Sequence, residues 1–81
     1  MMDNNEILVR LNRIFNDVLE PDELIRLELS STAEDIEDWD SLAHIRIIVA
    51  VENDFSIQFT AMELENFNSV EDLLLAVKSK V

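Results

Sequence analysis

Glycine and cysteine are both absent from this chain, and proline, histidine and tryptophan occur once each, as Pro21, His44 and Trp39. Without glycine the usual turn punctuation is missing, so boundaries must be read from periodicity and capping residues. Without cysteine, disulfides and thiolate metal sites are excluded. One histidine is too few for a histidine-rich metal site or a His-based relay. Bases are scarce as well: 6 Lys and Arg stand against 18 Asp and Glu, a formal charge of −12. Neutralising phosphates requires Lys and Arg, so nucleic acid and anionic membrane are excluded as partners. Basic protein surfaces are favoured instead, with solubility alone as the plainer account of the same charge. No apolar run approaches a membrane span, and the N-terminal MMDNNE lacks the basic region of a signal peptide. No membrane insertion is expected, and the cytoplasm is the expected compartment.

What is present points to a small helical domain. The 81 residues are 48% hydrophobic, enough for one small core, and residues 1–81 read as one domain. Asp3 and Glu6 have capping-box spacing, with aspartate in place of Ser or Thr. Behind them Ile7, Leu8, Leu11, Ile14, Phe15 and Val18 recur at three- and four-residue steps, which predicts a first helix over roughly 4–19. Arg10, Asn12, Arg13 and Asn16 fall off that stripe. Pro21 stops the helix, because the residue before a proline is pushed out of the helical region.

Residues 20–40 lack a sustained period, and a connection this long is usually functional or held by anchors. Leu24, Leu27, Leu29 and Ile36 are the expected anchors, with one short helical turn near Pro21 to Leu27. Asp40 begins the second clear helix. Leu42, Ile45, Ile48, Val49 and Phe55 form one line and Ile47 with Val51 a neighbouring one, so this helix is expected to be the most buried. A strand competes for the β-branched IRIIVAV, but the spacing continues from Leu42 and ends in the polar ENDF, which favours helix. Thr60 with Glu63 caps a short helix through about Glu65. Ser69 with Asp72 caps the last, whose apolar face is Val70, Leu73, Leu74 and Val77. Lys78 and Lys80 stand where a helix C-terminus favours positive charge. The sum is an all-α bundle of three main helices and one short one.

Chemistry concentrates in Asp35-Ile36-Glu37-Asp38-Trp39-Asp40-Ser41-Leu42. With Asp40 as N-cap, Ser41 lies in the first turn of the second helix. There its hydroxyl is exposed, on a rigid element, at the positive end of the helix dipole. A phosphoryl group linked to that oxygen would sit beside unpaired backbone N–H donors. The dipeptide alone is more often an ordinary cap.

Asp-Ser-Leu opening the second helix resembles the attachment motif of the acyl carrier protein family. The likeness extends to the long acidic loop before it, to Glu52-Asn53-Asp54-Phe55 closing the helix, and to Ile57 and Phe59. It continues through the short third helix and Phe67-Asn68-Ser69-Val70. It covers essentially the whole chain, most securely Ile36 to Val77. The tripeptide alone is a weak signal; in this arrangement it is a strong one. The resemblance implies that Ser41, flanked by Asp40 and Leu42, receives 4′-phosphopantetheine from coenzyme A through a separate phosphopantetheinyl transferase. An acyl group then rides as a thioester on the arm's thiol, which suits a chain with no cysteine. The chain would be no enzyme but a carrier, and a monomer. Its partners would be acyl-loading, acyl-modifying and acyl-transferring enzymes with basic docking faces.

Residues for the acyl pocket are Ile45, Ile48, Phe59, Leu64, Phe67 and Leu74, for which plain core packing is a compatible role. Docking should use the second helix and its flanks. There Asp38, Asp40, Glu52, Asp54, Glu63 and Glu65 offer charge, and Leu42 and Val49 a small apolar contact. Three residues depart from the family's pattern. Asp38 stands where glycine is common, at some cost if the turn needs positive φ. Arg46 puts a positive charge inside the docking face and argues for a restricted partner set. His44, one turn after Ser41, is placed either to contact the arm's phosphate when protonated or, the favoured reading, to stand exposed without a role. Trp39 reads as a loop anchor. These features favour a specialised biosynthetic pathway over the housekeeping fatty-acid one.

Three rival readings are weaker. A calcium loop needs a central glycine and a glutamate at its twelfth position, and counting from Asp35 that position is Arg46. Ser41 and His44 are too few groups for a hydrolase. An aminoacyl or peptidyl carrier commonly shows glycine-rich motifs before the serine, which are missing here. An unmodified acidic helical interaction module is the remaining alternative.

Overall fold

Asp3 opens the first helix as its N-cap, without the reciprocal Glu6 bond that a full capping box would add. In the computed structural model, which describes residues 2–36 and 38–81, its carboxylate accepts the Glu6 N–H at 2.8 Å. Glu37, part of the acidic segment quoted above, and Met1 of the N-terminal stretch lie outside the described residues. The elements follow as α1 (Asn4–Leu19), α2 (Ser41–Phe55), α3 (Ala61–Glu65) and α4 (Val70–Lys78). Asp40, Thr60 and Ser69 cap the last three, each side chain accepting the N–H three residues on. Those bonds satisfy donors that have no partner inside a helix. The fold is the expected all-α bundle, and IRIIVAV is helical throughout. Among the described residues the only sheet-like pairing is an isolated antiparallel bridge, Thr32 to Ser69.

Pro21 ends α1 by a route other than the expected one. Glu20 leaves the right-handed region for the left-handed one, φ 45° and ψ 53°, rather than for an extended conformation. Its N–H donates to the Asn16 carbonyl at 3.0 Å, closing the helix with a left-handed cap.

α1 packs across both α2 and α4. Ile7, Leu11 and Phe15 are fully buried against Ile47 and Val51 of α2 and Val70, Leu73, Leu74 and Val77 of α4. Removing each such side chain from water contributes roughly 1.5–3 kcal/mol. The expectation that α2 is the most buried helix is corrected. Its face of Ala43, Ile47, Ile48, Val51 and Phe55 is covered, whereas Leu42, Ile45 and Val49 are 68%, 61% and 50% exposed. α2 packs chiefly on α1, and one neighbour covers one face.

The 20–40 connection is held differently from its expected form. Pro21 to Leu27 contains a bend and no helical turn. Leu27 and Ile36 are buried anchors, but Leu24 is 86% exposed and Leu29 is exposed too. Polar anchors take over. Asn16 accepts the Ile25 N–H at 2.7 Å and donates to the Ile25 carbonyl at 2.9 Å, and Asn12 accepts the Leu27 N–H at 2.7 Å. At the far end the loop meets α4: Val70 N–H donates to Ser31 O at 2.9 Å and Glu71 N–H to Leu29 O at 3.1 Å. Leu29 thus serves through its carbonyl, filling an unpaired donor at a helix start.

The exposed start of the second helix

Asp40 organises the first turn of α2. Its Oδ1 accepts the Ala43 N–H at 2.8 Å and its carbonyl accepts the His44 N–H, also at 2.8 Å. Ser41 follows as the first helical residue, with an exposed side chain. The N–H groups of Ser41 and Leu42 have no partner among the described residues. A free hydroxyl and two uncommitted donors therefore meet where the helix dipole is positive, a setting that favours an anion.

Trp39 fixes this corner to the core, as its expected anchor role requires. It is buried, and its ring meets Phe15 edge-on with centroids 4.9 Å apart. Its Nε1–H donates to His44 Nδ1 at 3.0 Å, with the ring planes 23° apart and their centroids at 5.8 Å. His44 is thus half-buried and engaged, which corrects the exposed alternative. Burial lowers its pKa from the ordinary value. Phe67 closes the other side, 6.5 Å from the His44 ring and 5.1 Å from Phe59. An open recess of about 420 Å³ results, lined by Ala33, Trp39, Asp40, Ser41, His44 and Phe67.

Two groups near Ser41 are already engaged: Oδ1 of Asp40 accepts the Ala43 N–H, and the Nδ1 lone pair of His44 faces Trp39. Among the described residues no three His, Cys, Asp or Glu side chains gather as metal ligands. No described helix is long and apolar enough to cross a membrane.

The other sequence-predicted residues are dispersed. Asp38, Leu42, Arg46 and Val49 are exposed. Asp38 needs no positive φ: among the described residues only Glu20 and Ser56 adopt one, so the missing glycine causes no strain there. Besides Asp40, three acids of the docking set are committed within the chain. Glu52 accepts the Phe59 N–H at 2.8 Å, Asp54 pairs with Arg10 at 2.8 Å and Arg13 at 3.2 Å, and Glu63 pairs with Lys80 at 3.0 Å. Of the pocket residues, Ile48 and Leu74 are in the core, Phe59 and Phe67 are half-buried, and Ile45 and Leu64 are exposed. The Trp39–His44 bond went unread in the sequence, although an indole five residues before the chain's one imidazole was the available signal.

No family model matches the chain. An acyl carrier protein of Thermosynechococcus vestitus is 32% identical over 80 residues, spanning 99% of this chain and 98% of that relative. The solution structure of a holo acyl carrier protein from Geobacter metallireducens matches with a TM-score of 0.84 at 38% identity. It covers 91% of this chain and 84% of that one. A structure from Mycobacterium tuberculosis shares the fold, with a TM-score of 0.81 at 20% identity over 93% of this chain and 99% of that one.

Proposed function

The chain belongs to the acyl carrier protein family, and from that premise we propose that it carries acyl groups as thioesters on 4′-phosphopantetheine attached to Ser41. The observation that carries this reading is the exposed Ser41 hydroxyl at the first position of α2. The residues around it fit the group. A phosphodiester on that oxygen meets the uncommitted N–H groups of Ser41 and Leu42, and the adjoining recess leaves room for the arm's first atoms. The arm supplies the thiol that a chain without cysteine lacks. A separate phosphopantetheinyl transferase attaches the arm to Ser41.

The remaining partners are acyl-loading, acyl-modifying and acyl-transferring enzymes. They dock on the exposed face of α2, where Leu42 and Val49 make the apolar contact and Arg46 narrows the choice of partner. Asp38 is an exposed acid free to meet a basic surface; Glu52, Asp54 and Glu63 first answer to partners within the chain. Acyl cargo enters between the half-buried Phe59 and Phe67 toward Ile48 and Leu74, with Ile45 and Leu64 at the rim. The protein serves these enzymes as a cytoplasmic monomer in a fatty-acid-like or specialised biosynthetic pathway.

Incubation with coenzyme A and a broad-specificity transferase tests the reading. Intact-mass analysis should show the gain of one arm, and Ser41→Ala should abolish it. A wild-type chain left bare under those conditions overturns the proposal.

A further inference from the structure

Ser41 and His44 stand one turn apart on the same face of α2. A helical side chain covers the turn N-terminal to its own Cα, which carries the His44 ring back toward Ser41. Both residues line the same recess. Resting on the carrier reading above, we propose that His44 is a neutral hydrogen-bond donor to the phosphodiester on Ser41, with Trp39 as the positioning residue that selects its tautomer.

The argument begins at the indole. Trp Nε1–H can only donate, so the His44 nitrogen it meets at 3.0 Å must present a lone pair. That nitrogen is Nδ1, and the proton of the neutral ring therefore sits on Nε2. Among the described residues Nε2 has no partner. The ring is held by its bond to Trp39, the two planes within 23° of each other, and is met by Phe67 with centroids 6.5 Å apart. Trp39 is itself clamped on Phe15, so the orientation is inherited from the core. An Nε2–H fixed in this way is an oriented donor on a residue that lines the same recess as Ser41. A bond from it to a phosphate anion is charge-assisted on the acceptor side. With the N–H groups of Ser41 and Leu42 it completes a set of donors around one anionic centre.

Protonation would work against this arrangement. A second hydrogen, on Nδ1, would face the indole N–H, and half-burial disfavours the cation as well. Among the described residues the one charged group besides His44 that lines the recess is Asp40, which caps α2; the exposed Asp38 precedes Trp39 on the loop. Glu34 lines a neighbouring recess that shares Phe67. Phe67 and Ala33 bring no charge of their own.

The test uses ¹⁵N-labelled protein before and after arm attachment, with mass analysis reporting attachment separately. At pH 7.5 the His44 ring should show Nε2–H and an unprotonated Nδ1; an Nδ1–H tautomer or an imidazolium overturns the proposal. The ³¹P resonance of the diester does not titrate by itself near neutrality. In the loaded wild type it should show a step at the pH where His44 titrates, lost in His44→Gln. Coincident wild-type and His44→Gln curves overturn the proposal while leaving the carrier reading intact. A chain that gains no arm overturns both. Trp39→Phe keeps a ring against Phe15 but removes the donor, and should yield a mixture of His44 tautomers. An unchanged tautomer there overturns the role of Trp39.

Discussion

Arg10 holds Asp54 at two points. Its Nε donates to Oδ2 and its Nη2 to the Asp54 carbonyl oxygen, each at 2.8 Å, which ties the middle of α1 to the last turn of α2. Arg13 adds a contact at 3.2 Å, and the Arg10 guanidinium lies 4.3 Å above the Phe55 ring. The pair is only partly exposed, so the bond to the main chain and the stacked ring make it stronger than an open surface pair. Arg10→Ala and Asp54→Ala should each cost about 1–2 kcal/mol in urea unfolding, with a coupling energy of about 1 kcal/mol in the double-mutant cycle. Additive effects would show that the two side chains act independently.

Asn16 replaces the apolar anchors expected in the loop. Asn16→Ala leaves both the N–H and the carbonyl of Ile25 without their side-chain partner in a half-buried position. The expected loss is about 1–3 kcal/mol. Amide exchange should accelerate at Ile25 more than at Leu27, which keeps its bond to Asn12. Uniform acceleration along the loop would mean that Asn16 is not its pin.

α2 separates contact residues from core residues along a single helix. Ile48 is 6% exposed and Leu42 68%. Ile48→Ala should destabilise by about 2–5 kcal/mol, whereas Leu42→Ala should stay within about 0.5 kcal/mol. If Leu42 contributes to docking, its alanine variant unfolds at the wild-type urea concentration yet is a poorer acceptor for its transferase. An unchanged rate of arm attachment would remove Leu42 from that interface.

Two groups give the stability one direction of pH dependence. The pKa of His44 is lowered from 6.5 by burial, so the unfolded chain binds the proton more readily. That contribution is complete above pH 6.5 and is lost as pH falls through the window between the unfolded and folded values. Glu63 is lowered from 4.5, first by the hydrogen bond it accepts from the Thr60 N–H and then by Lys80. Its contribution is present above pH 4.5 and fades on further acidification. Unfolding midpoints should therefore fall in two stages with acid, and His44→Gln should remove the first. A midpoint that stays level from pH 7.5 to 5.5 in the wild type would contradict the assignment to His44.

The four helices and their caps were legible because the signals are local. Asp3, Asp40, Thr60 and Ser69 each bond the N–H three residues on, and the stripe from Ile7 to Phe15 lies within one helix. The family resemblance was legible for the same reason, as an order of short motifs along the chain. The recess beside Ser41 was not, because Phe67 closes it from more than twenty residues away and Ala33 reaches it through a loop with no periodicity.

The sequence by itself determined the helical class, the element boundaries to within a residue or two, and the place of Ser41 at a helix start. Each depends on neighbours that a helix brings together within one turn. Tertiary structure decided which stripe of α2 is covered, which polar side chains of α1 hold the loop, and which acids are already paired. Those outcomes depend on contacts between distant residues, such as Arg10 with Asp54 across 44 positions. Periodicity marks a face as apolar or polar, but only the packed neighbour determines whether that face meets protein or water.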